Sequence, residues 1–285
     1  MKTTVNRFAI AALAVAAVFS LGCEKQINYF KARDQLNKGV RAFAASDYAL
    51  AAERFEEALK LDPELHDAKT YGAYAYMMQY IPGGTSPENT AMADKAIDGF
   101  NEVLANKPDD KLATTLLASL YFNMKDFEKA EEWHRKRIAI LEKEAASNPD
   151  GKIDPVAAES YYTIGVIKWT DSYTPRLEAR AEMGMKPDDP GPLKDEEVRK
   201  ELAAEIIPKI DEGITALNKA LEINPDYADA MAYLNLLNRE RADFADTQEE
   251  YEQYQAKADE WVQKTLATKK RLAEAGTVDQ FAEGQ

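Results

Sequence analysis

Few side chains in this sequence have the types and spacing that catalysis requires. There is one cysteine, Cys23, and there are two histidines, His66 and His134, in different parts of the chain. The sequence contains no His-x-x-x-His pair, phosphate-binding loop, Gly-x-Ser-x-Gly elbow or Gly-x-Gly-x-x-Gly fingerprint. We therefore expect no enzyme, no cofactor and no metal site, and the sulfur of Cys23 is the group whose surroundings suggest a covalent role.

Cys23 lies at the end of an N-terminal apolar run. Lys2 and Arg7 provide a charged start, residues 8–19 are uninterrupted apolar residues, and Gly22 is a small residue just before the cysteine. This is the layout of a secretory signal peptide. With a cysteine as the first residue after the cut, it resembles a bacterial lipoprotein signal. The resemblance implies removal of residues 1–22, thioether lipidation of Cys23 and acylation of its new amino group by a fatty acid such as palmitate.

The alternative is an ordinary cleaved signal peptide followed by an unrelated cysteine. A transmembrane anchor is disfavoured, because the apolar run is shorter than the ~20 residues that a bilayer requires. The residue after Cys23 is Glu24 rather than the Asp that often retains lipoproteins in the inner membrane of some bacteria. We therefore expect a lipid-anchored protein of the cell envelope, in the outer membrane and facing the periplasm.

The acidic balance of the chain narrows the possible partners. The formal net charge is -14 over 285 residues, and removing Lys2 and Arg7 with the signal peptide makes it -16. Such a surface repels nucleic-acid phosphates and anionic lipid headgroups. The sequence therefore predicts no nucleic-acid partner and a body that its anchor holds off the membrane. A single cysteine forms no internal disulfide, so the core must be held by packing.

Internal periodicity indicates the fold. Three segments repeat the intervals four, three and five between a small residue, a large apolar residue, a small or apolar residue and a proline. These segments are Ala51, Phe55, Ala58 and Pro63; Ala96, Phe100, Val103 and Pro108; and Gly213, Leu217, Ala220 and Pro225. The first two intervals place their residues on one helix face, and the proline ends the helix.

This pattern resembles the tetratricopeptide repeat (TPR), a 34-residue helix-turn-helix unit. The resemblance implies an all-α, right-handed helical-repeat solenoid of about five TPR-like helix pairs over residues 32–275, between a lipidated N-terminus and tether at 23–31 and a tail at 276–285. Repeat three departs from the pattern, because His134 stands where the large apolar residue belongs. The predicted helix pairs are 28–45 with 47–61, 64–80 with 89–106, 109–124 with 126–147, 154–170 with 195–222, and 226–244 with 247–274.

Two insertions interrupt the predicted array, at 81–88 and 171–194. Both fall between the two helices of a repeat, so both are expected at the same edge of the stack, where such insertions often serve binding. They are equally compatible with tolerated surface loops. Within the second insertion, Thr174 and Pro175 suggest the start of a short helix through about Met183, and Pro208 further on suggests a break or kink.

In TPR arrays the first helices line a concave face, and the register places apolar and aromatic side chains there. Such a groove suits an extended or helical peptide that is anchored on aromatic rings. The clamp that some TPR domains use for a terminal carboxylate is not expected, because Leu36 and Val40 occupy its Lys and Asn positions. The residues predicted to bind a partner are Tyr74, Met77, Phe122, Tyr162, Trp169 and Leu237.

The sequence therefore favours a membrane-anchored TPR lipoprotein that acts as a protein-protein interaction scaffold or adaptor in the bacterial cell envelope. Two alternatives remain open. The first is a lipoprotein that binds a glycan or another small molecule for uptake, with Tyr74, Tyr162 and Trp169 as stacking platforms. The second is a regulatory subunit of an envelope enzyme complex.

Overall fold

The structure, a computed structural model, describes residues 25–187 and 189–275. The predicted signal peptide, Cys23 and the 276–285 tail lie outside the described residues. Within them the chain forms helices and no strands, so the all-α prediction is confirmed. The helices are α1 (25–44), α2 (Tyr48–Leu61), α3 (His66–Met77), α4 (Pro87–Asn106), α5 (Lys111–Asn123), α6 (Phe127–Ser147), α7 (Ala157–Glu182), α8 (Glu196–Ile223), α9 (Ala228–Ala242) and α10 (Gln248–Glu274). None of these helices is long and apolar enough to cross a membrane.

The chain divides into two compact units, Met1–Asp126 and Phe127–Gln285. In the first unit α3 packs against α2 and α4, and α4 packs against α5. In the second unit α7 is central, because it contacts α6, α8 and α9, while α10 lies along α9. Consecutive helices therefore pack against each other within each unit, as the repeat pattern predicts.

The repeated small and large residues form the contacts between helices. Phe55 and Leu217 are fully buried. A Cβ atom at Gly39 would lie 2.6 Å from the Phe55 ring, and a Cβ atom at Gly165 would lie 2.4 Å from Leu217 Cγ. Both distances are far below van der Waals contact, so only glycine allows α1 to approach α2, and α7 to approach α8, this closely.

The predicted insertion at 81–88 is a loop whose end forms the first turn of α4. Asn89 fixes this loop, because its side-chain oxygen accepts from the Ile81 N–H at 2.7 Å. Its side-chain nitrogen donates to the carbonyl oxygens of Ile81 and Gly84, both at 2.9 Å. Ser86 caps the helix by accepting from the Asn89 N–H at 3.1 Å, and Pro87 occupies the first turn.

The second insertion differs from its prediction. α7 continues through Pro175 to Glu182, so no separate helix begins at Thr174 and only 183–195 form a connection. Proline removes one backbone hydrogen bond from a helix interior, but buried Ser172 and Arg176 on either side of Pro175 hold the helix in place. α8 likewise continues through Pro208, and the predicted break is wrong, since Ile206 and Ile210 on either side are fully buried.

His134 occupies the position that the repeat reserves for a large apolar residue. It is 4% exposed, so it takes the buried position of that apolar residue. Arg137 is also buried, and its Nη1 donates to Glu159 Oε2 at 3.0 Å and to Ser160 Oγ at 3.2 Å. Burial and the positive charge of Arg137 lower the pKa of His134 to about 4. The imidazole is therefore neutral at physiological pH.

Candidate functional site

Three of the predicted partner-binding residues lie in the first unit. Tyr74 is on α3, partly exposed, with its ring 4.9 Å from that of Phe43 on α1. Phe43 also contacts the Tyr48 ring at 5.2 Å. Met77, one turn beyond Tyr74, and Phe122, on α5, are both partly exposed. These side chains retain accessible surface, as the prediction requires.

Leu237 cannot contact a partner in this structure. It lies on α9 and is 0% exposed, within the core that α7, α8 and α9 share. Its δ carbon would lie 2.9 Å from a Cβ atom at Gly213. The concave-face register is wrong for this residue because the face of α9 that it occupies packs against α8. Leu36, which the same register places at a clamp position, is buried as well.

Tyr162 and Trp169 belong to one group of rings in the second unit. The centroid of the Tyr162 ring lies 4.9 Å from that of the Tyr227 ring and 5.6 Å from that of the Tyr233 ring. Trp169 lies 5.4 Å from the same Tyr233 and 4.8 Å from Tyr173. The five residues form a continuous series of rings between α7 and the start of α9, which we call the aromatic row. All five are partly exposed.

The phenol groups of Tyr162 and Tyr233 in the aromatic row remain protonated at physiological pH. Burial, together with the neighbouring Tyr233 and Asp229, raises the pKa of Tyr162 above its usual value. Burial and Asp229 also raise the pKa of Tyr233. Both hydroxyl groups therefore act as neutral hydrogen-bonding groups, and the surface offers flat rings with polar edges, a combination that is enriched at protein interfaces.

Four buried charged side chains lie at the Tyr173 end of the aromatic row. Arg180 donates through Nη1 to both carboxylate oxygens of Asp243, at 2.8 Å each. Arg176 donates to Asp243 Oδ2 at 2.6 Å and forms an ion pair with Glu240. We call Arg176, Arg180, Glu240 and Asp243 the charge cluster; it joins α7 to the end of α9.

The charge cluster has unusual protonation equilibria. Burial raises the pKa of Glu240 to about 7, although the charge of Arg176 opposes this shift. Burial lowers the pKa of Arg176, but Glu240 and Asp243 outweigh it and hold the pKa above its usual value. Glu240 therefore binds a proton at a higher pH than an ordinary carboxylate does, while Arg176 stays charged.

The connection between α7 and α8 is ordered by the same cluster. Arg180 donates through Nε to the Lys186 carbonyl oxygen at 3.1 Å and also hydrogen-bonds the Asp189 carbonyl oxygen. The Leu193 N–H donates to the Asp243 carbonyl oxygen at 2.9 Å, and Leu193 is fully buried. Half of the predicted insertion, residues 171–182, is thus helix, and Arg180 and Leu193 connect the described residues after it to α7 and to the end of α9.

A cavity of about 380 Å³ lies where the aromatic row meets the charge cluster. Rings, prolines and aliphatic groups form much of its wall, and the charge cluster and the polar ends of α9 and α10 side chains complete it. The indole N–H of Trp169 is buried and makes no hydrogen bond of normal geometry to the part of the chain that the structure describes. The other wall residues are Tyr173, Pro187, Asp189, Pro190, Leu236, Arg239, Tyr251 and Gln255.

The sequence prediction found Tyr162 and Trp169 but missed most of this site. Trp169, Tyr173, Arg176 and Arg180 follow each other at intervals of four, three and four, which places them on one helix face. That signal was available in the sequence. The helix start predicted at Thr174 and Pro175 hides it, because that prediction separates Trp169 from the residues after it.

The histidines do not form a chemical site. His66 Nε2 lies 3.1 Å from Asp110 Oδ2, and Asp110 caps α5 by accepting from the Ala113 N–H at 3.0 Å. Burial opposes ionisation of Asp110, but hydrogen bonds from Ala113, Lys107 and His66 lower its pKa. This is the arrangement of a helix cap. Across the described residues, no group of three or more His, Cys, Asp or Glu side chains is placed to hold a metal ion.

Comparison with known proteins agrees with the repeat pattern. A tetratricopeptide repeat family model matches residues 115–138, which span the end of α5 and the start of α6. This is the repeat that departs from the spacing at His134. A search of curated proteins finds no sequence match.

Solved structures of MamA are similar in fold. One MamA structure is 15% identical, with a TM-score of 0.54 over 86% of this chain and 94% of that chain. A second, residues 41 to the end of MamA from Desulfovibrio magneticus RS-1, is 15% identical, with a TM-score of 0.52 over 85% of this chain and 96% of that chain. The chain therefore contains a tetratricopeptide repeat match at residues 115–138, and its fold is similar to that of these helical-repeat structures.

Proposed function

We propose that this protein is a lipid-anchored scaffold of the bacterial cell envelope, which binds protein partners through the second unit and catalyses no reaction. The observation that carries the proposal is the aromatic row with the cavity at its end. Tetratricopeptide arrays present extended binding surfaces, and aromatic and arginine side chains dominate the energetics of protein interfaces.

The walls of the cavity indicate what would enter it. Trp169, Tyr173 and Tyr251 provide flat apolar faces, and Pro187 and Pro190 also line the cavity. An aromatic or long aliphatic side chain of a peptide would leave water and pack against these faces. Arg239, which is exposed and already hydrogen-bonds Gln255 at 2.8 Å, lies at the same cavity and is placed to contact the peptide backbone. We propose a peptide segment with such an anchor residue as the partner.

The experiment compares two tryptophans of the same unit. Trp169→Ala removes a wall of the cavity, whereas Trp133→Ala removes a partly exposed tryptophan on α6 that lies under Lys136. Photo-crosslinking from position 173 in intact cells, followed by mass spectrometry, should identify one partner segment. Its affinity should fall at least tenfold in Trp169→Ala and stay unchanged in Trp133→Ala. Equal effects of both changes, with unchanged thermal unfolding, would refute the assignment of the site.

The membrane anchor rests on the sequence around Cys23. The protein isolated from bacterial membranes should begin at residue 23 and carry the mass of a diacylated thioether and an additional acyl chain. Cys23→Ser should prevent processing at that residue. An unmodified thiol at Cys23 in the membrane-isolated protein would contradict the lipoprotein assignment and leave the scaffold proposal standing.

The cavity also favours a second candidate function, the binding of a glycan or another small molecule. A volume of about 380 Å³ falls in the range of ligand pockets. The purified protein should then show a concentration-dependent rise in unfolding temperature with a sugar or metabolite. That rise should disappear in Tyr173→Ala and persist in Trp133→Ala.

A further inference from the structure

The first turns of α1 expose large apolar side chains. Ile27 is 52% exposed and Phe30 is 62% exposed, and Tyr29 between them is also exposed. Helices of a folded domain usually direct such residues inward. Ile27 and Phe30 are three residues apart and so lie on one side of the helix.

This exposed side is not the face that α1 uses for packing. The packed face contains Ala32, Leu36 and Gly39, all of which are buried. On a helical projection, Ile27 and Phe30 lie roughly opposite that face, with Lys31 beside them. α1 therefore has two apolar surfaces in its N-terminal half, and only one of them contacts the rest of the first unit.

The charge of α1 is opposite to that of the whole protein. Residues 25–44 contain five basic side chains and one acidic side chain, whereas the chain has a net charge of -14. Three of the basic residues, Lys25, Lys31 and Arg33, are exposed. Lys31 and Arg33 flank the side of the helix that Ile27 and Phe30 occupy. A partner that complements both properties of α1 has a surface that is apolar and anionic.

The aromatic residues of α1 have the arrangement found at membrane interfaces. The Tyr29 and Phe30 rings meet edge to face with centroids 5.6 Å apart, and the Arg33 guanidinium lies 5.4 Å from the centre of the Tyr29 ring. Amphipathic aromatic residues and basic side chains concentrate where lipid headgroups meet acyl chains.

We propose that residues 25–33 of α1 form an interfacial membrane-binding surface. Ile27 and Phe30 enter the boundary between headgroups and acyl chains, and Lys31 and Arg33 contact anionic headgroups. The location of α1 supports a bilayer as the occupant, because the described part of α1 starts at residue 25, close in sequence to Cys23, the site of the expected lipid. The proposal rests on the membrane attachment in the proposed function, and it changes the expectation that the whole body is repelled by anionic lipid.

Depth-dependent quenching tests the contact directly. Cys23 is the only cysteine, so lipidation consumes the only thiol and Ile27→Cys supplies a single labelling site. The processed protein is labelled with a polarity-sensitive fluorophore and reconstituted in vesicles of phosphatidylethanolamine and phosphatidylglycerol. We expect a blue-shifted emission and at least threefold stronger quenching by a nitroxide on the acyl chain than by aqueous iodide.

Ile81→Cys is the matched control. Ile81 is also an exposed isoleucine of the first unit, 68% exposed in the loop before α4. Its label should be quenched by iodide and not by the lipid nitroxide. If the labels at 27 and 81 behave alike, α1 does not enter the interface and the proposal is wrong.

Charge variants separate lipid binding from other causes of protection. Lys31→Glu combined with Arg33→Glu should reduce nitroxide quenching at position 27 at least twofold, as should vesicles of phosphatidylcholine alone. If protection instead appears without vesicles and rises with protein concentration, the occupant is a second copy of the chain and the membrane proposal fails.

Failure of the anchor can be distinguished from failure of this surface. If wild-type Cys23 reacts with the label, the lipid is absent and the anchor assignment is wrong. The same quenching is then measured on Cys23→Ser with Ile27→Cys, expressed without residues 1–22, in the fraction that floats with anionic vesicles, and this decides the surface alone. If no protein floats with the vesicles, the proposed membrane-binding surface of α1 is refuted.

Discussion

At the scale of residues, the clearest constraint is the contact of Gly165 with Leu217. Gly165→Ala would place a Cβ atom 2.4 Å from Leu217 Cγ, which forces α7 and α8 apart or displaces a buried leucine. We expect a loss of about 1–3 kcal/mol in the free energy of unfolding, measured in urea. The loss should be smaller in a Leu217→Ala background, because the double variant relieves the overlap. Equal losses in both backgrounds would show that Leu217 does not cause the effect.

Glu240 makes the fold less stable as pH rises. Its pKa is about 7 in the folded protein, against a usual value of 4.5, so the folded state binds more protons than the unfolded state between these values. Stability from this group is complete below pH 4.5 and is lost as pH rises through 7. The shift corresponds to roughly 3 kcal/mol.

His134 has the opposite effect on the stability of the fold over nearly the same range of pH. Its pKa is about 4 in the folded protein, against a usual value of 6.5, so the unfolded state binds more protons in between. Stability from His134 is complete above pH 6.5 and is lost as pH falls through 4, again by roughly 3 kcal/mol. The two groups therefore nearly cancel in the wild-type protein between pH 4.5 and 6.5.

Single variants should reveal this cancellation. In Glu240→Gln the free energy of unfolding should increase as pH rises from 4.5 to 6.5, because only the His134 contribution remains. In His134→Leu, which restores the apolar residue that the repeat pattern expects, it should decrease over the same range. Denaturant titrations at several pH values measure both slopes. Parallel curves for the wild type and the two variants would show that neither group shifts as stated; Glu252→Gln, at an exposed position, is the control.

At the scale of elements, the end of α7 depends on the charge cluster. Asp243→Ala would leave Arg176 and Arg180 buried without their shared carboxylate. We expect a loss of about 3–5 kcal/mol and faster hydrogen exchange over residues 176–193, because Arg180 also fixes the connection to α8. Asp246→Ala, at an exposed position three residues further on, should change stability by less than about 0.5 kcal/mol. Unchanged exchange over 176–193 in Asp243→Ala would contradict this role.

The elements also show what sequence reasoning could predict. The spacing of Phe55 and Leu217 from their small neighbours identified the helix pairs, because the residues that allow close packing of adjacent helices are only a few positions apart in the sequence. The extension of α7 beyond Pro175 was not predicted, because it depends on Arg176 and Arg180 meeting Asp243, more than sixty residues away. Local propensity favoured a helix start at Pro175, and the tertiary contacts overrode it.

For the whole molecule, the net charge should be lost at a higher pH than the pH at which acid unfolds the helices. With 50 acidic and 36 basic residues, the chain has a calculated isoelectric point of about 4.8. Mutual repulsion between molecules therefore disappears near pH 5, and we expect light scattering to rise there. The opposed contributions of Glu240 and His134 should keep the helices folded at this pH, so the circular dichroism signal at 222 nm should remain unchanged.

The association should reverse on return to pH 7 and should occur at higher pH in a variant with exposed acids replaced, such as Glu249→Gln with Glu252→Gln. Loss of the helical signal before scattering rises would show that acid unfolds the protein first, which would contradict the cancellation argued for the two buried groups.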